Sequence, residues 1–318
     1  MKKNKTSLSI LSILIFSFIL INCSGNNQKR DRSEDANGEK VTVIHSLGTA
    51  EVNSNPQRVV VLDFSALENL DYLGIKPVAV PKTGLPDHLI KYNDPSIVDV
   101  GSITEVNLEK INEAQPDLII MGQRLLEFYD QLSFIAPVLY PAPVDAGNFV
   151  EAFEENLDDL ALLFDKKEEI DAAKAEIRSK IEETKRITTG SNEKALILLY
   201  NRGRFSAYGS GSRFGIVHDV LGVSEATEGL SAHRHGNPVS SEFIQKVNPD
   251  IIFIIDRSRV VDNTVTNKTE IENPLIKETK AAKNDKIYYL NPEIWYLAGG
   301  GITSVHEMIN EVTNALNK

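Results

Sequence analysis

Cysteine occurs once in the 318 residues, at Cys23, and tryptophan once, at Trp295. A single thiol excludes an intramolecular disulfide and any zinc site built on several cysteines. The usual catalytic signatures are missing as well: there is no G-x-S-x-G elbow, no H-E-x-x-H pair and no P-loop. GSGSRFG, residues 209–215, follows a strand pattern and opens a helix pattern as a dinucleotide fingerprint would. Its third glycine falls one place late, and no acidic residue near position 230 closes a strand as the ribose partner. A hydrolase or dehydrogenase is therefore disfavoured, and the chain is read as a non-enzyme. Positive charge is also scarce, with 34 Lys and Arg against 45 Asp and Glu, a net charge of −11. No basic stripe exists to collect phosphates, which argues against nucleic acid as a partner. The six histidines are scattered apart from His233 and His235, so a bare zinc or manganese ion would lack its three or four converging ligands.

The amino terminus carries an address. Lys2, Lys3 and Lys5 precede an apolar run over residues 8–21, which is short for a bilayer span and has the layout of an export signal. The run ends Leu20-Ile21-Asn22-Cys23, and the lone cysteine directly after it resembles a bacterial lipobox, with Asn22 where a small residue is usual. An odd cysteine in an exported chain asks for an explanation, and lipidation of Cys23 after signal removal supplies one. The expected product is an exported lipoprotein anchored to a cell membrane. Removing residues 1–22, with their three lysines, would carry the net charge from −11 to −14. Residues 23–40 are polar and aperiodic and read as a flexible tether. The roughly 275 residues that follow exceed one comfortable core and suit two lobes.

From residue 41 the pattern is α/β. Residues 41–47 alternate as an edge hairpin would, and residues 58–63 form a continuous branched run typical of a buried parallel strand. A helix is expected over about 64–73, closed by Gly74 and Pro77. Short strands recur near Val78, Ile97, Leu118 and Val138, with helices near Leu108 and Leu125. Residues 148–164 and 166–187 then lack Gly and Pro and carry dense Glu and Lys at helical spacing. The second piece would span roughly 33 Å at 1.5 Å per residue, long enough to join two lobes stiffly. Strands at 194–200 and 205–208, a helix from Phe214, a strand at 287–290 and a closing amphipathic helix after Gly299-Gly300-Gly301 complete the chain. The expected organisation is an amino-terminal lobe at 41–165, an interlobe helix at 166–189 and a carboxyl-terminal lobe at 190–318, each lobe Rossmann-like with a parallel-rich sheet.

One internal repeat points to a site. Residues 108–121 read LEKINEAQPDLIIM and residues 241–254 read SEFIQKVNPDIIFI, 133 positions later, and Arg124 and Arg257 keep that spacing. A polar residue just past the carboxyl end of a parallel strand faces the crevice in which such folds bind ligands. Two matched cations are thus expected to look into one cleft.

Several segments together, SRFGIVHDVLG (212–222), HGNPVSSEFI (235–244), NPDIIFIIDR (248–257), KIYYLNPEIWYLAGGG (286–301) and PDLIIMGQRLLEFYDQL (116–132), resemble the lipid-anchored catecholate siderophore-binding proteins of bacterial ABC importers, of the enterobactin and petrobactin type. The resemblance runs from about residue 41 to the carboxyl terminus. It implies a class III periplasmic binding protein, two α/β lobes bridged by one long rigid helix. It implies further that Arg124, Arg213 and Arg257 converge on catecholate oxygens, as chemistry favours: an anionic chelate needs fixed cations with directional donors, and arginine meets that need better than lysine. With a tetradentate siderophore, His235 and Tyr296 would complete the coordination of Fe(III), and Trp295 would adjoin the site. Glu68 and Glu242 would dock on the permease. The implied function is capture of a ferric catecholate and its delivery to an ABC permease and its ATPase, by a monomer with no intrinsic cofactor. The same scaffold binding a hydroxamate siderophore, cobalamin or haem, the last through His235 and Tyr296, is the alternative.

Overall fold

The computed structural model describes residues 40–144 and 147–318. The expected signal segment, most of the tether and Cys23 lie outside the described residues.

An antiparallel hairpin comes first, β1 (Lys40–His45) against β2 (Gly48–Asn53). It is a two-stranded ladder of its own rather than the edge of a larger sheet. His45 fastens it to the first lobe, its Nε2 lying 2.9 Å from the carbonyl of Val138.

The first large sheet is wholly parallel. Its strands are β3 (Val59–Val61), β4 (Ala79–Val80), β5 (Val98–Asp99), β6 (Leu118–Ile120) and β7 (Val138–Leu139), ordered β5-β4-β3-β6-β7. Both faces are covered, so β3 and β6 are apolar at every position and fully buried. The helices α1 (Phe64–Tyr72), α2 (Leu108–Glu113) and α3 (Tyr129–Ser133) alternate with these strands. The helix expected near Leu125 is instead a 3-10 turn, Gln123–Phe128, that leads into α3. It starts at Gly122, which packs so closely on Asp63 that a Cβ would lie 2.3 Å from the carboxylate.

Two long helices follow, α4 (Phe149–Phe164) and α5 (Lys167–Thr189), separated by Asp165 in a left-handed conformation (φ 52). At 23 residues α5 extends roughly 34 Å. Among the described residues no helix is long and apolar enough to cross a membrane.

The second large sheet contains β8 (Lys194–Asn201), β9 (Arg204–Tyr208), β10 (Ser224–Glu225), β11 (Asn237–Val239), β12 (Ile251–Asp256) and β13 (Ile287–Leu290). Its main path is β11-β9-β8-β12-β13, parallel from β8 to β13 and antiparallel at β9 and β11. The helix expected from Phe214 is only a π-helical turn, Ile216–Val220, because Gly222 at φ 73 ends it at once. α6 (Ser241–Val247) precedes β12, and α7 (Arg257–Val261) starts directly from it. The one-turn helices α8 (Lys268–Ile271), α9 (Pro274–Lys277) and α10 (Lys280–Lys283) lead to β13. A π-helical turn, Glu293–Leu297, and the closing helix α11 (Ile302–Leu316) complete the fold.

The two repeat copies fold alike in detail. Asn107 and Ser240 cap α2 and α6 by accepting from the amides of Lys110 (3.0 Å) and Phe243 (3.3 Å). Gln115 and Asn248, again 133 apart, leave those helices at φ 48 and 50. The Asp of each Pro-Asp then clamps the start of the neighbouring strand: Asp117 accepts from the Arg58 amide at 2.9 Å, and Asp250 from the Lys194 amide at 3.1 Å. β6 and β12 consequently take equivalent places, between β3 and β7 and between β8 and β13.

The core crosses from lobe to lobe. α11 buries Ile302, Val305, Met308, Ile309, Val312 and Ala315 along one stripe, in the same apolar cluster as Phe64, Leu67 and Leu70 of α1 and Ile177 and Ile181 of α5. Each of the larger side chains among these contributes about 1.5–3 kcal/mol when fully buried. The last helix is therefore packed on elements of both halves of the chain.

Candidate functional site

Three arginines arrive at one residue. Arg124 follows β6 in the turn begun by Gly122, and Arg257 opens α7 directly after β12, where Asp256 Oδ1 accepts from the Ser258 amide at 3.1 Å. Arg213 lies in the loop after β9. Their common partner is Tyr296, in the π-helical turn after β13.

Its backbone carbonyl accepts from Nη2 of Arg124 at 2.8 Å and from Nη2 of Arg213, and its phenol oxygen accepts from Nε of Arg257 at 2.7 Å. Arg257 is steadied from behind by Asn201, whose Oδ1 accepts from Nη1 at 3.0 Å. The guanidinium carbons of Arg213, Arg257 and Arg124 stand 4.4, 5.4 and 5.8 Å from the ring centroid, within the range of cation–π attraction. The carbonyl is available because the turn is ending: Ala298 bonds back to Glu293 at 3.1 Å, and the last carbonyls of a helix have no partner within it. Helix C-termini also carry partial negative charge, which suits clustered cations.

Proximity leaves its mark on protonation. Burial, and then the charge of Arg124, push the Arg213 pKa down to about 10. Burial alone would raise the Tyr296 phenol, but the hydrogen bond and charge of Arg257, with the charges of Arg213 and Arg124, outweigh it and hold the phenol below its ordinary value. The arrangement thus eases loss of the phenol proton, which would leave a hard oxygen donor.

A cleft of about 1060 Å³, including its open mouth, lies beside this cluster. Residues of both lobes line it, among them Ser65, Asn69 and Arg124 from the first and Arg213, Arg234 and Trp295 from the second. Neither Arg257 nor Tyr296 is part of the lining, and Arg257 reaches the cluster through the phenol. Trp295 is only 1% exposed; its ring forms part of the wall and its Nε1 donates to Glu311 Oε2 at 2.6 Å.

One expectation, for Glu68, is corrected. His235 is exposed on its loop and does not line the cleft. Gly236, at φ 69 with its amide donating to His233 at 2.9 Å, closes a tight turn there, and the residue of that turn that lines the cleft is Arg234. Glu68 is fully buried and cannot meet a permease. Its Oε2 accepts from the amide of Ser304 at 2.9 Å, and its Oε1 accepts from the Ser304 hydroxyl at 2.6 Å and also lies 2.6 Å from His88 Nε2. Asn69 accepts from the Ile302 amide at 2.8 Å and Ser65 from the Gly300 amide at 3.2 Å. One face of α1 therefore caps the start of α11 with three side chains. Glu242, by contrast, is exposed in the first turn of α6. Its counterpart under the 133-residue repeat is Glu109, exposed in the first turn of α2, a residue that the repeat could have pointed to from the sequence. Among the described residues no group of three or more His, Cys, Asp and Glu is placed to hold a metal ion.

Comparison with known proteins bears on the fold. The family model described as "Periplasmic binding protein" matches residues 59–294. The petrobactin-binding protein YclQ of Bacillus subtilis is 38% identical over 98% of this chain and 99% of its own length, and its crystal structure superposes with a TM-score of 0.85. The ferric-anguibactin-binding protein FatB of Vibrio anguillarum is 37% identical over 86% of each chain. The crystal structure of the periplasmic catecholate-siderophore binding protein VctP of Vibrio cholerae has a TM-score of 0.82 at 32% identity, covering 87% of this chain and all of that one.

Proposed function

The chain belongs to the periplasmic binding protein family, and on that premise we propose that it is the receptor of an ABC iron importer, capturing a ferric catecholate-type siderophore between its lobes. The observation that carries the reading is the convergence of Arg124, Arg213 and Arg257 on Tyr296 beside an interlobe cleft. A ferric catecholate presents several anionic oxygens on planar rings, and the guanidinium groups offer fixed charge and paired donors to match. Each unit-charge pair at 4 Å is worth about 4 kcal/mol at an effective dielectric of 20, before desolvation. Iron enters as cargo already held by hard oxygens, and Tyr296 can add one more where the chelator leaves a position open. The protein makes and breaks no bond; it binds, carries and releases.

Lipidation of Cys23 would tether it, in keeping with the relatives YhfQ and YfiY of Bacillus subtilis, both named as lipoproteins. A tethered receptor must also dock. Glu109 and Glu242, one on each lobe at equivalent and exposed positions, suit basic side chains of the permease.

The test is a fluorescence titration of the purified protein with ferric catecholate, hydroxamate and citrate complexes, haem and cobalamin, with Trp295 in the cleft wall as reporter. The ferric catecholate should bind most tightly, and alanine at Arg124, Arg213 or Arg257 should each weaken it at least about tenfold. Three variants that bind like the parent, or a preference for a neutral hydroxamate complex, would refute the reading.

A further inference from the structure

The cleft contains a cation of a different kind from the three that meet at Tyr296. Arg234 is exposed, yet it lines the same cavity as Arg124 and Arg213. Its charge is felt at Arg213, where it adds to the forces that lower that residue's pKa. Among the described residues no carboxylate or carbonyl takes its guanidinium, whereas Arg58, Arg178 and Arg202 are all engaged by oxygen acceptors.

Its backbone is built into place. Asn237 ties the base of the loop, its Oδ1 accepting from the Ser231 amide at 3.2 Å and hydroxyl at 2.6 Å and its Nδ2 donating to the Ser231 carbonyl at 2.9 Å. Gly236 packs so tightly that a Cβ would lie 2.6 Å from the Tyr208 ring. The loop thus holds an unpaired positive charge at the margin of a positively charged cleft, on a chain whose net charge is −11.

We infer that Arg234 is the steering residue of this site: it draws anionic chelates into the cleft against the repulsion of an acidic surface, and so sets their rate of capture and the preference for highly charged cargo. This deepens the receptor reading above and rests on it. An exposed charge is screened and adds little to the stability of a bound complex. A charge at the rim acts instead on association, and its effect fades as salt rises. Arg213, half-buried in the cluster, should act mainly on dissociation.

The experiment is stopped-flow fluorescence with the ferric complex of a synthetic bis-catecholamide as the probe, at low ionic strength and at about 0.5 M salt, where the screening length falls well below 10 Å. At low salt Arg234→Ala should slow association about threefold to tenfold and Arg234→Glu should slow it further, while Arg234→Lys should stay close to the parent. Dissociation should change less than about twofold, and the association rates should converge in high salt. Arg213→Ala, by contrast, should speed dissociation. Equal association rates for the parent and Arg234→Ala at low salt, or a slowing that persists undiminished in high salt, would overturn the steering role while leaving the receptor reading intact. If the parent protein fails to bind the probe at all, the receptor reading falls and this inference with it.

Discussion

The guanidinium of Arg124, from the first lobe, donates to the backbone carbonyl of Tyr296, in the second, at 2.8 Å. The cleft is thus bridged at its charged end by the protein's own atoms, and the residue that bridges it also presents a phenol to Arg257. Anionic oxygens arriving there meet guanidinium groups already gathered around one acceptor.

Tyr296→Phe separates the two oxygens of that residue, since the carbonyl remains and the phenol is lost. In an alkaline titration of the unliganded parent, one tyrosine should ionise below the ordinary value of about 10, and this component should vanish in Tyr296→Phe and move upward in Arg257→Ala. With iron bound to a tetradentate bis-catecholate, Tyr296→Phe should alter the charge-transfer band, whereas a hexadentate complex should be nearly unaffected. An unchanged spectrum in both cases would exclude direct ligation by the phenol.

Glu68 makes a different demand, because its removal strands the amide and hydroxyl of Ser304 and leaves His88 without its partner. Glu68→Ala should cost about 2–4 kcal/mol of folding stability by denaturant titration. His88 makes part of this contribution depend on pH. Burial pulls its pKa down, but the hydrogen bond and charge of Glu68, with the charges of Glu293 and Asp71, more than offset it and leave the value above the ordinary one. A raised folded-state pKa stabilises fully below the unfolded value of about 6.5 and is lost as pH rises through the folded value. The melting-temperature gap between the parent and His88→Gln should therefore be widest in mild acid and close in mild alkali; a gap that widens with pH would contradict the assignment.

Glu109→Ala and Glu242→Ala are expected to leave both stability and cargo affinity within error, since both carboxylates are exposed and neither lines the cleft. Uptake of the same ferric siderophore into cells should nevertheless fall, most strongly in the double variant. Normal uptake by the double variant would remove these two residues from the docking surface.

Much of this was legible in the sequence because it is written in local chemistry. The repeat showed itself as two Pro-Asp segments, and the structure explains why: each Asp holds the neighbouring strand through an amide, and each preceding helix ends on a left-handed residue. The branched runs at β3, β6 and β12 announced buried parallel strands, and the Gly- and Pro-free stretch announced α5. The arginines were found through the repeat and the resemblance. What could not be read was long-range. Nothing around Glu68 in the sequence says that Ser304, 236 positions later, will cover it. Nothing around His235 says that Gly236 will turn the loop so that Arg234 borders the cleft. The π-helical turns at 216–220 and 293–297 were likewise hidden, because their extra residue is settled by packing rather than by periodicity.

The capping of α11 by α1 also bears on the order in which this protein can fold. The apolar cluster around Phe64, Leu67 and Leu70 includes side chains from residues 302–315, far along the chain. The interior behind α1 is thus closed only when that distant helix arrives, and a variant in which α11 cannot form would loosen elements of both halves together.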